Sequence, residues 1–274
     1  MRGRVLVIAG SDSGGGAGIQ ADIKTITALG GFAATAVTAL TAQNTEGVFG
    51  ILDVPAAFVV RQMELVLDDI GADCIKIGML HRGDIIEAVA DALDRRAAGI
   101  PVVLDPVMVA KGGHPLLAAD AAQVLRQRLV PRADLLTPNL PEAQALVEGR
   151  GEVPAGDGAA AETIALAQRL QALGPAAVLL KGGHGTGPLL RDVLVRPAAA
   201  PEVFESGRIQ TRHTHGTGCT LASAIACGLA QGLDVRAAVV RGRAFVRTAI
   251  LGAPGYGRGH GPLDHAHTMG QPRN

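Results

Sequence analysis

The chain has 274 residues, 48% of them hydrophobic and 18% charged. Folding that much chain would reduce roughly 40,000 Å² of surface to roughly 11,000 Å², burying about 73%, which argues against extended disorder. The 25 basic and 25 acidic side chains cancel, leaving no global positive field to attract DNA, RNA or an anionic membrane, so neither nucleic acid nor membrane is expected as a partner. There is no Trp and a single Tyr, Tyr256, which removes most base-stacking platforms. Three cysteines, Cys74, Cys219 and Cys227, are too few for a disulfide framework and form no CxxC pair. They point to a reducing compartment. The N-terminal apolar run is broken early by glycine and Asp12, so no targeting segment is evident and the cytoplasm is the expected location.

In chain order, residues 4–9 read as a short buried strand ending at Gly10. Ile19, Ile23, Ile26 and Leu29 then recur at helix spacing, with Gly30 and Gly31 as a stop. A second extended segment is expected over 32–40, a helix over 55–70 introduced by Pro55, and a strand over 74–78. The alternation continues with a helix near 83–98, a strand over 101–105, a helix near 120–129 and a strand over 133–137. A helix is predicted from Pro141, where the missing N–H costs nothing. Another follows over 160–173, then a strand over 176–182. Residues 184–211 read as hairpins or an edge addition, and 236–250 as a last helix after the apolar run that begins in the turn from Thr214 to Thr220. These crossovers predict a single α/β domain over residues 1–274: a mainly parallel central sheet flanked by helices. The Gly/Pro-rich stretch 149–162 is expected to be a surface loop rather than a domain boundary.

Two glycine-rich segments carry the chemistry. GSDSGGGAG at 10–18 lies between a strand and a helix, where small residues allow close backbone approach and amides aimed at an anion or polar ligand. It lacks the GK[ST] ending of a P-loop, and its loose GxGxxA match from Gly16 to Ala21 has no ribose-binding acid to support a dinucleotide site. A tight strand-to-helix turn remains the plain alternative. THGTGCT at 214–220 opens directly onto an apolar helix, whose positive end suits a migrating phosphoryl group. Cys219 there is either a packed small residue or an accessible thiol with a lowered pKa; Cys227 reads as a packed hydrophobe.

Asp105, Asn139 and Glu142 near strand ends are hard oxygen donors suited to magnesium, directly or through water. The alternative for Asn139 and Glu142 is helix capping. Lys181 and Gly182 close a strand in a way that permits nucleotide contact, or leaves a solvated lysine. The histidines lack HExxH and a cysteine pair, so zinc is not expected; Ser13 has no triad context.

GSDSGGGAGIQAD, TALTAQN, KIGML, VVLDPVMVAKGG, TPNLPEA, LLKGGH and THGTGCTLASAIA, in this order across nearly the whole chain, together resemble the bacterial hydroxymethylpyrimidine and phosphomethylpyrimidine kinases of thiamine biosynthesis. The resemblance implies a ribokinase-like fold, ATP and magnesium dependence, and a homodimer. It implies two successive phosphorylations, of 4-amino-5-hydroxymethyl-2-methylpyrimidine and then of its monophosphate. Carried over, it assigns Asp22 and Gln43 to the polar edge of the aminopyrimidine and Gly10, Met79 and Val107 to its pocket. Asp105, Asn139 and Glu142 fall around magnesium and ATP phosphates, and Lys181 and Gly182 in the nucleotide region. Gly216, Thr217, Gly218 and Cys219 form the anion hole, with Cys219 as base in place of the aspartate of the broader fold family. Lys76 and His213 are further candidates for the phosphate of the second substrate. Gly14 departs from the serine that many members carry, which bears on local substrate affinity. Pyridoxal phosphorylation is the nearest alternative, against which Asp22, Gln43 and Met79 weigh. A noncatalytic nucleotide-binding or regulatory protein is the alternative from another functional class.

Overall fold

The computed structural model describes residues 2–118, 120–148, 160–183 and 187–269. Most of the loop expected over 149–162 lies outside these residues. Nine strands form one sheet in the order β3-β2-β1-β4-β5-β6-β7-β8-β9. The parallel part is β2 (Phe32–Gln43), β1 (Arg4–Asp12), β4 (Cys74–Ile77), β5 (Val102–Leu104), β6 (Leu135–Leu136) and β7 (Val178–Leu180). At its edges, β3 (Val48–Asp53) runs antiparallel to β2, while β8 (Leu189–Val195) and β9 (Glu202–Gly207) add an antiparallel pair.

Alternation along β1 explains why both faces are covered. Val5, Val7 and Ala9 point into the cluster with Ile26, Leu221 and Val239, whereas Leu6 and Ile8 point into the cluster with Met63, Ile85 and Leu93. The first face is roofed by α1 (Gly18–Ala28), α7 (Thr217–Ala230) and α8 (Val235–Leu251). The second carries α2 (Ala56–Asp69), α3 (Gly83–Arg96), α4 (Ala121–Val124), α5 (Leu140–Glu148) and α6 (Ala160–Gln171). The result is the three-layer ribokinase-like fold.

Two expectations need correction. The segment after residue 40 continues in β2 to Gln43 and then turns back as β3, a strand the sequence reading left unassigned. Its exposed Phe49 and Leu52 alternate with half-buried Val48 and Ile51, so the two-residue period is weak. The helix expected over 120–129 is α-helical only to Val124 and passes into a wider π turn over Leu125–Leu129.

Strand order reverses at β1, with β2 on one side and β4 on the other. In an open parallel sheet the crevice beyond the strand ends at such a point receives ligands. The ends of β1, β2, β4, β5 and β7 lead to Asp12, Gln43, Met79, Asp105 and Lys181, which therefore gather along one edge of the sheet.

Candidate active site

The two glycine-rich segments, 200 residues apart in sequence, meet backbone to backbone. Gly216 is the N-cap of α7 with φ +80°, and a β-carbon on it would lie 1.8 Å from the carbonyl oxygen of Gly16. Only glycine meets both demands. Gly18, with φ +54°, is equally confined: its β-carbon would lie 2.4 Å from the Gly10 oxygen. Its backbone is among the groups that favour a Cys219 thiolate.

Asp12 organises that loop. Its carboxylate accepts from the amides of Gly14 (2.8 Å), Gly16 (3.1 Å) and Ala17 (2.8 Å), and from His215 Nε2 (2.8 Å). Burial pushes the Asp12 pKa up, but these hydrogen bonds and His215 outweigh it and hold the group below its ordinary value. His215 also sits 3.3 Å from the Gln43 amide, which lies 3.1 Å from Thr41 Oγ1. Ser13 exchanges hydrogen bonds with the Gln43 backbone, both at 2.8 Å. A shallow open cleft is lined here by Gln43, Thr45, Val48, Lys111 and His215. Neither Asp12 nor His215 was singled out as a site residue from the sequence. A buried acid beginning a glycine-rich turn was the available signal, but its partner lies 203 positions away.

Gly10, Met79 and Val107 lie close to one another. Gly10 leaves room for Met79, whose sulfur would stand 3.0 Å from a β-carbon at that position. Met79 packs with Ala39 and Leu116, and Val107 joins the same cluster. Asp22 is fully buried, with one carboxylate oxygen paired to Lys76 Nζ at 2.9 Å and the other accepting from Ser223 Oγ at 2.7 Å. Each Asp22 oxygen thus has one donor inside the protein and lone pairs to spare, and its assignment to a ligand's polar edge stands as a proposal.

Lys76 is enclosed with it: the whole side chain is buried and its ammonium is held by Asp22. Burial alone would lower the Lys76 pKa, yet Asp22, with Cys219 and Asp105 further off, holds it raised and charged. Removing one partner of so deep a pair costs about 3–5 kcal/mol because it strands the other charge. His213 also leaves the cleft. It packs on the C-terminal loop, where a β-carbon on Gly261 would meet its Nδ1 at 2.3 Å.

Cys219 takes the expected place but not the expected state. The helix start and Lys76 favour the thiolate, but burial dominates, and Asp22 and Asp105 add to it, pushing the thiol up to about 11. Of the two alternatives, the thiol remains partly exposed, but its pKa is raised rather than lowered. Thr217 Oγ1 donates to the Thr214 carbonyl at 2.6 Å and fixes the turn before α7, while Thr220 N–H returns to Gly216 O at 2.9 Å. The amides of Gly218 and Cys219 fall in the first turn of the helix, where no intrahelical acceptor exists. They are the donors suited to an anion, together with Lys181. The Lys181 ammonium lies 2.8 Å from Asp105 Oδ1 and 3.3 Å from a β-carbon position on Gly218. Lys181 therefore turns into the site instead of standing in solvent.

Asn139 and Glu142 form a reciprocal cap. Asn139 N–H donates to Glu142 Oε2 at 2.8 Å and Glu142 N–H to Asn139 Oδ1 at 2.9 Å. The capping alternative is the arrangement observed, and it uses one oxygen of each residue, so a place for Asn139 and Glu142 at a metal, directly or through water, stands as a proposal. Glu142 is pushed up to about 7 by burial; Lys181 opposes this and Asp105 adds to it. Among the described residues no cluster of three or more His, Cys, Asp or Glu could hold a metal ion. Magnesium nonetheless fits in the way it usually binds, on one or two carboxylates with waters and phosphates completing its shell. Asp105 and Glu142 place two carboxylates around the single ammonium of Lys181, a surplus of negative charge that a divalent cation would balance. Gly182 is corrected as a nucleotide donor: its amide donates to Asp192 at 3.0 Å, and its missing side chain makes room for the Arg191 backbone.

A phosphate-cradling turn, a lysine and two carboxylates at the switch edge of this sheet define the class: a kinase with the ribokinase-like fold. The family model for phosphomethylpyrimidine kinase matches residues 12–264, and the chain belongs to that family. It is 47% identical over 264 residues to the hydroxymethylpyrimidine/phosphomethylpyrimidine kinase of Rhizobium meliloti, covering 96% of each chain. It is 50% identical to a thiamine biosynthesis bifunctional protein of Geobacter sulfurreducens, over 96% of this chain but only 52% of that longer protein. Among solved structures it resembles a Bacillus subtilis pyridoxal kinase in complex with ADP, with TM-score 0.86, 34% identity and coverage of 97% and 98% of the two chains. A phosphomethylpyrimidine kinase of Clostridium difficile follows at TM-score 0.77 and 37% identity, covering 90% of this chain and 99% of that one.

Proposed function

We propose that the protein transfers the γ-phosphoryl group of ATP to the hydroxymethyl oxygen of 4-amino-5-hydroxymethyl-2-methylpyrimidine, and then a second phosphoryl group to the resulting monophosphate, supplying the pyrophosphate used in thiamine biosynthesis. The observation that carries this reading is the direct seating of the loop at 10–18 against the turn at 214–220. That seating supports a site in which the turn at 214–220 cradles an anion while the end of the first strand borders the ring pocket. The first reaction forms a bond between substrate oxygen and the γ-phosphorus, breaks the bond to the β-phosphate oxygen and releases ADP. The hydroxyl proton passes to the thiolate form of Cys219, which becomes the thiol and makes no bond to phosphorus on this reading. Amides of Gly218 and Cys219 and the Lys181 ammonium would meet charge on the migrating group. Magnesium, when bound, would neutralise ATP phosphate charge, held by Asp105 and Glu142 with waters between.

Gln43, Met79, Val107 and the open backbone at Gly10 are the residues proposed to hold the ring. Asp22, Gln43 and Met79 weigh against pyridoxal, while the likeness to pyridoxal kinases favours that second substrate as a side activity. We further propose a homodimer located in the cytoplasm. In its support, the cross-strand pair Leu40 and Leu52 is exposed on the β2–β3 edge. All three cysteines are unpaired, and no helix among the described residues is long and apolar enough to cross a membrane.

Purified protein supplied with ATP, magnesium and the pyrimidine should release ADP and yield both the mono- and pyrophosphate. The pyrimidine kcat/KM should exceed that for pyridoxal at least tenfold. ADP release without substrate, or a higher kcat/KM for pyridoxal, would overturn the assignment.

A further inference from the structure

We propose that Asp12 and His215 are a buried positioning pair that fixes Gln43 as a hydrogen-bond donor toward the cleft and locks the ring-binding loop to the phosphate-cradling turn. The substrate part of this inference rests on the reading above. His215 Nε2 stands 2.8 Å from Asp12 Oδ2, and an ionised carboxylate only accepts, so this nitrogen carries the proton. As placed, Gln43 Nε2 lies 3.3 Å from this nitrogen and Gln43 Oε1 3.1 Å from Thr41 Oγ1, yet a donating ring nitrogen cannot accept from an amide N–H, and Thr41 has spent its one proton on the Ser11 carbonyl at 2.9 Å. The two ends of an amide are told apart only by such contacts, and exchanging them satisfies both neighbours: the oxygen meets His215 and the NH2 group meets Thr41 Oγ1. One N–H is then left over on a residue that lines the cleft. A ligand seated there must offer an acceptor, such as an unprotonated ring nitrogen.

The same pair spans both halves of the site. Asp12 gathers the amides of Gly14, Gly16 and Ala17, while His215 immediately precedes Gly216 and anchors its own amide on Gly261 O at 3.1 Å. The ring packs so closely that a β-carbon at Gly16 would lie 2.6 Å from His215 Cδ2. Neither residue touches the atoms that react on this reading, so both act through Gln43 and the loop.

His215→Leu and His215→Gln separate positioning from bulk, because glutamine places an N–H donor where Nε2 stood. H215L should raise KM for the pyrimidine at least tenfold, leave KM for ATP within twofold and lower kcat about tenfold; H215Q should recover most of each loss. A ligand-free readout accompanies this: hydrogen exchange of the amides at 14–17 and 214–217 should quicken together in H215L and return toward wild type in H215Q. If wild type does not phosphorylate the pyrimidine, the substrate reading fails while the exchange experiment still tests the pair. Equal kinetics for H215L and wild type, identical losses in H215L and H215Q, or exchange confined to one segment would overturn the proposal.

Discussion

Cys219 stands between opposing influences: a helix N-terminus and the Lys76 cation favour its thiolate, while burial and the carboxylates of Asp22 and Asp105 disfavour it. Burial prevails, leaving a thiol at about 11. A base held that high is protonated through most of the neutral range, so the reactive thiolate fraction grows tenfold with each pH unit below the pKa. If Cys219 accepts the proton, kcat should climb with a slope near one between pH 7 and 9. Cys219→Ala should lose about 10²–10⁴-fold in kcat and flatten the profile. Retention of slope and rate in C219A, measured by coupled ADP release, would remove Cys219 from the chemistry. Asp22 and Lys76 teach a related lesson. Polarity drew attention to both, but buried polar groups are as often paired with each other as with a ligand. Their separation of 54 positions hides the pairing from any local pattern.

At the scale of elements, the start of α7 is the decisive one. Its sequence is almost wholly small or apolar, so the helix buries nearly all round, from Thr220 to Gly228, and its first turn is fixed against β4, β5 and α1. That rigidity lets the turn before it act as a preformed cradle. Gly216→Ala tests this, because the substitution meets both a positive φ and a 1.8 Å approach to Gly16 O. It should lower kcat by more than tenfold and destabilise the protein by about 1–3 kcal/mol, since strain at such a backbone position is of that order. Urea titration alongside the ADP assay checks both; wild-type values in G216A would show that the two segments do not need to touch. The small residues of both turns were legible in the sequence because φ > 0 and close approach are local requirements. The capping by Asn139 and Glu142 was legible too, as an S/T/D/N-x-x-E/Q spacing, but spacing alone left it level with metal binding. Geometry shows the cap formed, with one oxygen of each residue engaged, which leaves the other Glu142 oxygen for a hydrated cation.

Across the whole molecule, the switch point between β2, β1 and β4 brings strand ends from distant parts of the chain to one edge, and the antiparallel β2–β3 edge lies beside it. Leu40 and Leu52 pair across those strands at 47% and 66% exposure, unusual for leucines on one sheet face. If that face joins two copies, Leu52→Glu should shift the mass measured by light scattering from dimer to monomer at micromolar protein. An unchanged dimer would place the interface elsewhere, and a monomeric wild type would dismiss the dimer itself.

The sequence by itself determined the alternation of strands and helices, the parallel sheet, and the two segments where only small residues permit tight turns, because periodicity and steric freedom act over a few neighbouring residues. The tertiary structure decided which charges face the cleft and which face each other. Asp12 went to His215, Asp22 to Lys76 and Lys181 to Asp105, across 203, 54 and 76 positions of chain. Electrostatic interaction depends on distance in space and on exclusion of water, and neither exists until the sheet has closed its faces.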